Sequence, residues 1–148
     1  MTTLRRAACL ALVCVAACPA VAVAASTQRT LINHVNLARG VRGVAPLHAS
    51  ASLNQSASAF ASRLMRLDVF GHASSIKAGG GFRHLGEVLR LHSGRQARHV
   101  ATVRAWLASP PHRRVILSRA FRYAGAGIAQ GDFKGRSSTI WVMHFGAY

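Results

Sequence analysis

The stretch Trp106-Leu107-Ala108-Ser109-Pro110-Pro111-His112-Arg113-Arg114-Val115-Ile116-Leu117 predicts that one helix ends and another begins. Ser109 is suited to the N-cap position, because its hydroxyl can accept from the free backbone N–H groups of the next turn. The two prolines follow where a missing N–H removes no helical hydrogen bond. His112 precedes Ile116 by one helical turn, so the two share a face and His112 is expected to point inward. Taken alone, this is the pattern of a histidine at the edge of a core.

Apolar residues at helical spacing predict three helices ahead of this junction. The first runs from Gln28 to Ala38, and the third runs from Gln96 to Ala108 into the junction itself. The second begins after Ser50, which is suited to cap it. Its amphipathic pattern is the strongest in the chain and is carried by Ala57, Phe60, Ala61, Leu64 and Leu67.

Three strands are predicted, and the last of them indicates the fold class. The strands are Phe82 to Leu91, Tyr123 to Ala129 and Thr139 to Phe145, with a hairpin turn at residues 131–135 between the last two. The last strand carries apolar residues on both faces, which is typical of a central strand covered by helices on either side. The chain is therefore predicted to be an α+β protein with helices layered on a small sheet.

Two candidate polar side chains lie between the second and third helices. Gly71 is expected to end the second helix and to leave His72 at the mouth of a loop. Strand alternation puts Glu87 on one face with Leu85 and Leu89, where a half-buried carboxylate must be paired, hydrogen-bonded or protonated. An exposed glutamate on a short edge strand is the alternative interpretation.

The N-terminal segment predicts export. Two arginines precede the apolar run Ala7 to Ala17, and an Ala-x-Ala pattern follows, as in a secretory signal peptide cleaved after Ala24 or Ala25. We therefore expect residues 1–25 to be a signal peptide and residues 26–148 to be one secreted domain, extracellular or periplasmic. The apolar run is too short for a permanent membrane helix, so none is expected in the mature chain.

All three cysteines, Cys9, Cys14 and Cys18, lie in this predicted signal segment. The mature domain would therefore contain no thiol, which excludes disulfides, cysteine nucleophiles and thiolate metal sites. A lipoprotein anchored at Cys18 is the less favoured alternative, because Pro19 follows the cysteine directly.

The charge of the chain is strongly positive. The 148 residues include 19 Lys and Arg against three Asp and Glu, a formal net charge of +16. Without the two arginines of the signal segment, 17 basic residues remain against three acids, a net charge of +14. Such a field attracts polyanions, including nucleic acid, anionic wall polymers and lipid headgroups. Because the arginines are scattered and no nucleic-acid-binding module is recognisable, a soluble basic surface is favoured over a dedicated nucleic-acid site.

Three segments in order resemble a known family: Phe70-Gly71-His72-Ala73-Ser74, Leu85-Gly86-Glu87-Val88-Leu89 and the helix junction from Trp106 to Leu117. With the final Trp141-Val142-Met143-His144-Phe145-Gly146, they resemble the CAP superfamily of cysteine-rich secretory, antigen 5 and pathogenesis-related proteins. The bacterial secreted branch, whose members are called SCP-domain proteins, is the more similar one. The resemblance covers about residues 30 to 148.

This resemblance implies a three-layer α-β-α sandwich with a small central, mostly antiparallel sheet. It also implies a cleft with two histidines and acidic residues, which holds a divalent metal in some family members. By position, His72 and His112 match the two family histidines, and Glu87 matches the family glutamate. Ser109 stands where animal and plant members carry a further carboxylate, and Val88 replaces the asparagine that usually follows the glutamate.

Two kinds of site chemistry remain open for these residues. His72 and His112 could bind a divalent metal such as Zn²⁺ weakly, with Glu87 as a third ligand or as the acceptor for a bound water. Alternatively, Glu87 hydrogen-bonds a histidine, raises its pKa and joins two loops without any metal. No metal or other cofactor is required by either interpretation.

The prediction for function is a secreted CAP-like domain that binds a ligand without catalysis. The resemblance does not supply a reaction, since the superfamily has no accepted common one and its members bind lipids, sterols or partner proteins. The ligand is expected to be a lipid, an envelope polymer or a protein, and the chain is expected to be a monomer. One alternative is a hydrolase or protease that uses the His/Glu cleft. Another is a cationic protein that binds anionic envelope polymers or lipids through its charge.

Overall fold

A computed structural model of the protein describes residues 19–148, with side chains from residue 26 onward. The apolar run of the predicted signal peptide and the three cysteines lie outside the described residues. Four helices and four strands follow one another: α1 Pro19–Gly40, β1 His48–Ala49, α2 Ala51–Arg66, β2 His84–Ser93, α3 His99–Ala108, α4 Pro110–Ile116, β3 Tyr123–Phe133 and β4 Arg136–Ala147.

The four strands form one sheet in the order β1-β3-β4-β2. The two-residue strand β1 pairs in parallel with β3, whereas β3 with β4 and β4 with β2 are antiparallel. A tight turn at Lys134 and Gly135, both with positive φ, joins β3 to β4. The predicted mostly antiparallel sheet is therefore confirmed, and β1 is a strand that the sequence pattern did not predict.

Helices cover both faces of this sheet. Leu31 of α1, Trp106 of α3 and Ile116 of α4 pack on one face, together with Trp141, Met143 and Phe145 of β4. On the other face, α2 packs against the alternate residues of the same strand. The α-β-α sandwich is confirmed, and β4 is its central strand, covered on both sides as its sequence predicts.

Helix α2 and strand β3 approach so closely that no side chain fits between them. A Cβ on Gly125 would lie 2.1 Å from the backbone nitrogen of Asn54, and a Cβ on Gly127 would lie 2.3 Å from the backbone carbonyl carbon of Ala57. The Asn54 side-chain oxygen also accepts a hydrogen bond from the Ala126 backbone N–H at 2.8 Å. The two glycines thus fix α2 directly on the sheet.

The buried Arg39 near the end of α1 joins this helix to the segment after α4. Its guanidinium donates to the backbone carbonyls of Ala45 at 2.8 Å, Ile116 at 2.6 Å and Ser118 at 3.0 Å. A longer hydrogen bond of 3.4 Å reaches the carbonyl of Phe121. Burial, followed by the charges of two neighbouring arginines, lowers the pKa of Arg39. The side chain thus satisfies carbonyls that the end of α4 and the following loop leave free.

Two helix boundaries differ from the prediction, the end of α2 and the start of α3. This helix ends at Arg66 instead of Gly71, because Asp68 adopts a positive φ of 52°. Aspartate tolerates this conformation, and here its carboxylate also accepts from the Lys134 backbone N–H at 2.7 Å. Helix α3 begins at His99 instead of Gln96, with no side-chain cap at Arg98.

The predicted hydroxyl cap at Ser109 is wrong, although the helix junction itself is present. Ser109 has the extended backbone of an N-cap and α4 begins at Pro110, but the Ser109 side chain makes no capping hydrogen bond. Proline at the start of α4 favours the helical φ without needing a donor. By contrast, the predicted cap of α2 is confirmed, because the Ser50 hydroxyl accepts from the Leu53 N–H at 3.4 Å.

Helix α1 begins at Pro19 instead of Gln28. The predicted signal-peptide cleavage after Ala24 or Ala25 would therefore fall within α1 and remains a prediction. Among residues 19–148, no helix combines the length and the hydropathy that crossing a bilayer would need.

Candidate functional site

The Glu87 carboxylate lies at the centre of the candidate site. One of its oxygens, Oε1, hydrogen-bonds to Nδ1 of His72 at 2.7 Å and to the Ala73 backbone N–H at 3.0 Å. The other, Oε2, lies 3.0 Å from Nε2 of His144, the residue opposite Glu87 in the pairing of β2 with β4. Only 6% of the Glu87 side chain is exposed. This buried carboxylate therefore joins the loop after α2 to the sheet.

The chain of hydrogen bonds continues through His144 to α2. The His144 side chain is 1% exposed, and its Nδ1 lies 3.1 Å from the Ser56 hydroxyl. The Phe60 ring stacks on the His144 ring with a centroid distance of 6.2 Å. Because a carboxylate only accepts, the neutral His144 tautomer carries its proton on Nε2 and accepts from Ser56 at Nδ1. Ser56, His144, Glu87 and His72 thus form one connected network.

Two opposing effects act on the pKa of Glu87. Burial is the larger single effect and would raise the pKa, because it disfavours the charged form. Hydrogen bonds from His144, the Ala73 N–H and His72 together outweigh burial, so that the pKa of Glu87 is lowered. At neutral pH the network therefore contains a carboxylate anion.

This lowered pKa predicts a pH dependence of stability. A carboxylate with a depressed pKa stabilises the folded protein fully above its unfolded-state pKa of about 4.3. The contribution is lost as the pH falls from that value through the lower folded-state pKa. We expect wild type to unfold at a higher urea concentration than Glu87→Gln at pH 6, and the difference to shrink as the pH decreases below about 4. A difference that grows on acidification would contradict the sign of the pKa shift.

Of the other two predicted site residues, His112 lies next to His72, whereas the Ser109 side chain takes no part in the hydrogen-bond network. The half-buried His112 lies next to His72, with 6.4 Å between ring centroids. Burial and, to a smaller extent, the nearby His72 lower the pKa of His112, so that this imidazole is neutral at pH 7. Ser109 lies at the junction of α3 and α4, and in the described part of the chain it forms hydrogen bonds through its backbone alone.

A cavity of about 460 Å³ opens beside the network, between α2 and the loop that follows it. Ser56 and His144 form its floor, and His72 lies at its wall. Arg63 and Lys77 are the two basic side chains of the lining. The other side chains are mostly apolar, with contributions from Ala59, Phe60, Leu64, Leu67, Val69, Phe70 and Ile76.

The sequence matches the family model described as the cysteine-rich secretory protein family, CAP, over residues 32–145. The chain belongs to the CAP family. Among solved structures, it is similar to an extracellular SCP-domain protein of Bacillus anthracis, with a TM-score of 0.69 and 17% identity over 85% of this chain and 42% of that one. The chain thus spans less than half of the Bacillus protein. The resemblance predicted from the sequence is confirmed.

Two further structures show the same fold. An outer surface protein of Borrelia burgdorferi matches with a TM-score of 0.64 and 20% identity, over 80% of this CAP chain and 90% of that chain. A cysteine-rich secretory protein of Staphylococcus aureus matches with a TM-score of 0.53 and 17% identity, over 83% and 39%. No curated protein sequence matches this chain.

Sequence reasoning missed His144 and Ser56 as members of the site in this CAP protein. The alternation of β4 does place His144 on the α2 side with Ile140 and Val142, and a histidine on an apolar face needs a partner. The partner depends on the register of β2 with β4, which pairs Glu87 with His144. Position alone could therefore identify His144 as a buried polar residue but not as a partner of Glu87.

The residues of the cleft fit a metal ion only in part. Within residues 19–148, no group of three His, Cys, Asp or Glu side chains could hold one. Both oxygens of Glu87 are engaged by hydrogen bonds, so this carboxylate orients His72 instead of acting as a ligand. Nε2 of His72 and the neutral imidazole of His112 are the donors that could bind Zn²⁺, with water completing the coordination.

Ser56, His144 and Glu87 have the composition of a serine-hydrolase triad, but their setting differs from one. Ser56 lies within α2, between Ala51 and Arg66, where the backbone N–H groups donate along the helix. The backbone N–H groups of α2 next to the serine are therefore not free to stabilise an oxyanion. The network is better suited to holding the loop on the sheet than to acyl transfer.

Proposed function

We propose that this CAP chain is an exported binding domain whose cavity between α2 and the following loop takes an apolar ligand with an anionic group. The observation that carries the proposal is the lining of this cavity, which combines apolar side chains with Arg63, Lys77 and His72 and includes no acidic residue. A concave, largely apolar site with a few polar groups is typical of small-molecule binding. Export is supported by the signal-peptide pattern of residues 1–25.

The hydrogen-bond network gives the proposed ligand site its shape. Glu87 fixes the loop at His72 and Ala73, and the loop forms the wall of the cavity opposite α2. Both Glu87 oxygens are occupied in this task, which supports a structural role for this carboxylate over a role as general base. This favours binding as the proposed function of the cleft.

Dodecanoate and dodecanol are matched probes for this proposal, since they share a chain and differ in charge. Ala59→Phe places a ring into the cavity from the exposed side of α2, and it is expected to weaken dodecanoate binding at least tenfold, or ~1.4 kcal/mol. Arg63→Gln should weaken dodecanoate about three- to fivefold and leave dodecanol unchanged. Arg66→Gln, which removes a charge from α2 outside the lining, is the control.

Isothermal titration calorimetry measures these affinities, and ester and peptide substrate panels run beside it. Unchanged dodecanoate binding in Ala59→Phe would exclude this cavity as the site. Turnover that disappears in Glu87→Gln and in His144→Ala, with both variants folded, would replace the binding proposal by a hydrolase.

Weak Zn²⁺ binding is a second candidate property of the cleft, supported by the neutral His112 next to the oriented His72. We expect wild type to bind Zn²⁺ with modest affinity, and His72→Ala and His112→Ala to bind much less. Binding should be lost as the pH falls through the histidine range near ~6.5, since protons compete with the metal. Titration calorimetry with the exposed His84→Ala as control tests this. Equal binding in all four proteins would place the metal elsewhere.

A further inference from the structure

Four ring side chains form a continuous cluster at one end of the sheet. His48 opens β1, Tyr123 opens β3, Phe82 precedes β2 and Tyr148 follows β4. The centroid distances are 4.8 Å for Phe82 with Tyr148, 5.2 Å for Tyr123 with Tyr148 and 5.8 Å for Phe82 with Tyr123. His48 lies 5.9 Å from Tyr123. We call these four residues the aromatic patch.

The aromatic patch is anchored in the fold on one side and open on the other. Phe82 packs on Gly146, where an added Cβ would lie 2.7 Å from the ring. Tyr148 is 65% exposed, and in the described part of the chain neither tyrosine hydroxyl has a hydrogen-bond partner. Phe82 and Tyr148 already stack on one another, with 20° between their rings. The patch thus offers the exposed part of Tyr148, bordered by unpaired hydroxyl groups.

Two basic residues, Arg83 and Arg122, are the chain neighbours of Phe82 and Tyr123. Both are exposed, and their backbone N–H groups donate to the carbonyls of Ala147 and Gly146 at this end of the sheet. The Arg122 guanidinium is bound to the carbonyls of Arg119 and Phe121. Arg83 is therefore the basic side chain that is available to a ligand of the patch.

No exposed acidic side chain lies near the aromatic patch. Glu87 is buried in its own network. Asp68 accepts from the Lys134 backbone at the β3–β4 turn, and Asp132 pairs with Arg95 near the same turn. Strand β3 separates this turn from the patch by roughly 33 Å at the usual rise per residue. A basic surface with no exposed acidic side chain close by favours an anionic partner.

We propose that the aromatic patch binds an acidic polysaccharide. A sugar ring packs its apolar face on Tyr148, its hydroxyl groups hydrogen-bond to the tyrosine hydroxyls, and its carboxylate is attracted by Arg83. Single-stranded nucleic acid fits less well, because successive bases need a series of neighbouring free rings, and the two exposed rings of the patch, His48 and Tyr148, are separated by Tyr123. None of the four patch residues lines the cavity of the proposed function, so this proposal does not depend on that one.

Binding of the purified protein to polygalacturonate, neutral dextran and a single-stranded oligonucleotide tests the proposal at two salt concentrations. Polygalacturonate is expected to bind in preference to both others. Tyr148→Ala, at an exposed position where the fold is not expected to change, should weaken binding about three- to tenfold, and Tyr148→Trp should restore it. Arg83→Ala should weaken binding and reduce its salt dependence, whereas Arg136→Ala removes the same charge at the other end of β4 and should have little effect.

Three results would overturn the proposal. Polygalacturonate binding that is unchanged in Tyr148→Ala would exclude the aromatic patch. Equal losses in Arg83→Ala and Arg136→Ala would show attraction by net charge without a local site. Tighter binding of the oligonucleotide than of polygalacturonate, with loss in Tyr148→Ala, would assign the surface to nucleic acid.

Discussion

Arg39→Met is expected to destabilise the protein by about 3–5 kcal/mol, since hydrogen bonds to a charged group contribute ~1.5–3 kcal/mol each. The guanidinium is fully buried and donates to four backbone carbonyls in the segments around Ala45, Ile116, Ser118 and Phe121. Methionine fills much of the same volume but donates no hydrogen bond. The buried carbonyl of Ile116 would then lose its hydrogen bond of 2.6 Å, and this cost is larger than the loss of packing.

Urea unfolding followed by circular dichroism measures this effect, and Arg42→Met is a matched control. Arg42 lies just after α1 and is exposed, and its side chain donates to the Ala38 carbonyl in the preceding turn. Its replacement should change the free energy of unfolding by less than about 0.5 kcal/mol. Similar losses in the two variants would show that charge on α1, and not the buried hydrogen bonds, stabilises this region.

Glu87→Ala is expected to cost about 2–3 kcal/mol and to release the loop after α2. The substitution leaves the Ala73 N–H and the buried Nε2 of His144 without their acceptor, and each unsatisfied buried donor is costly. Hydrogen exchange of the Ala73 amide should become faster relative to amides of β4. The variant should also lose the Zn²⁺ binding proposed for His72, because that ring would no longer be oriented.

Asp132→Ala is the control for Glu87→Ala. Asp132 pairs with Arg95 at 2.9 Å, and both side chains are more than half exposed. Such surface pairs contribute about 0–1 kcal/mol. Asp132→Ala should therefore lower the free energy of unfolding clearly less than Glu87→Ala does. Equal and small losses would mean that the Glu87 hydrogen bonds contribute little to folding, and that the loop is held by its other contacts.

Much of the fold could be predicted from the sequence, because periodicity reports burial. The spacing of apolar residues in α2 and the two covered faces of β4 predicted a helix and a central strand that the structure contains. Glu87 was identified from its position among leucines, since a carboxylate there needs partners. Each of these inferences concerns a single helix or strand, and the spacing of apolar residues within one element predicts which of its faces is buried.

What could not be predicted depends on contacts between distant elements. The end of α2 is set by Asp68, whose conformation is tied to Lys134 across the chain. The role of His144 follows from strand register, and that of Arg39 from the carbonyls of a segment far along the chain. At Ser109 the prediction from residue type alone was wrong. Serine is suited to the N-cap, but in this helix, which begins with proline, its side chain makes no capping hydrogen bond.

The backbone contact of α2 with β3 at Gly125 and Gly127 determines how a ligand could reach the cavity. One wall of the cavity belongs to α2. This wall cannot shift without separating the backbone of α2 from the backbone of β3, which are in contact. The opposite wall is the loop, attached to the sheet through one carboxylate. Any change in the width of the cavity must therefore come from the loop, and the Glu87 hydrogen bonds resist that movement. The same residue that holds the loop on the sheet would then influence how long the domain retains its ligand.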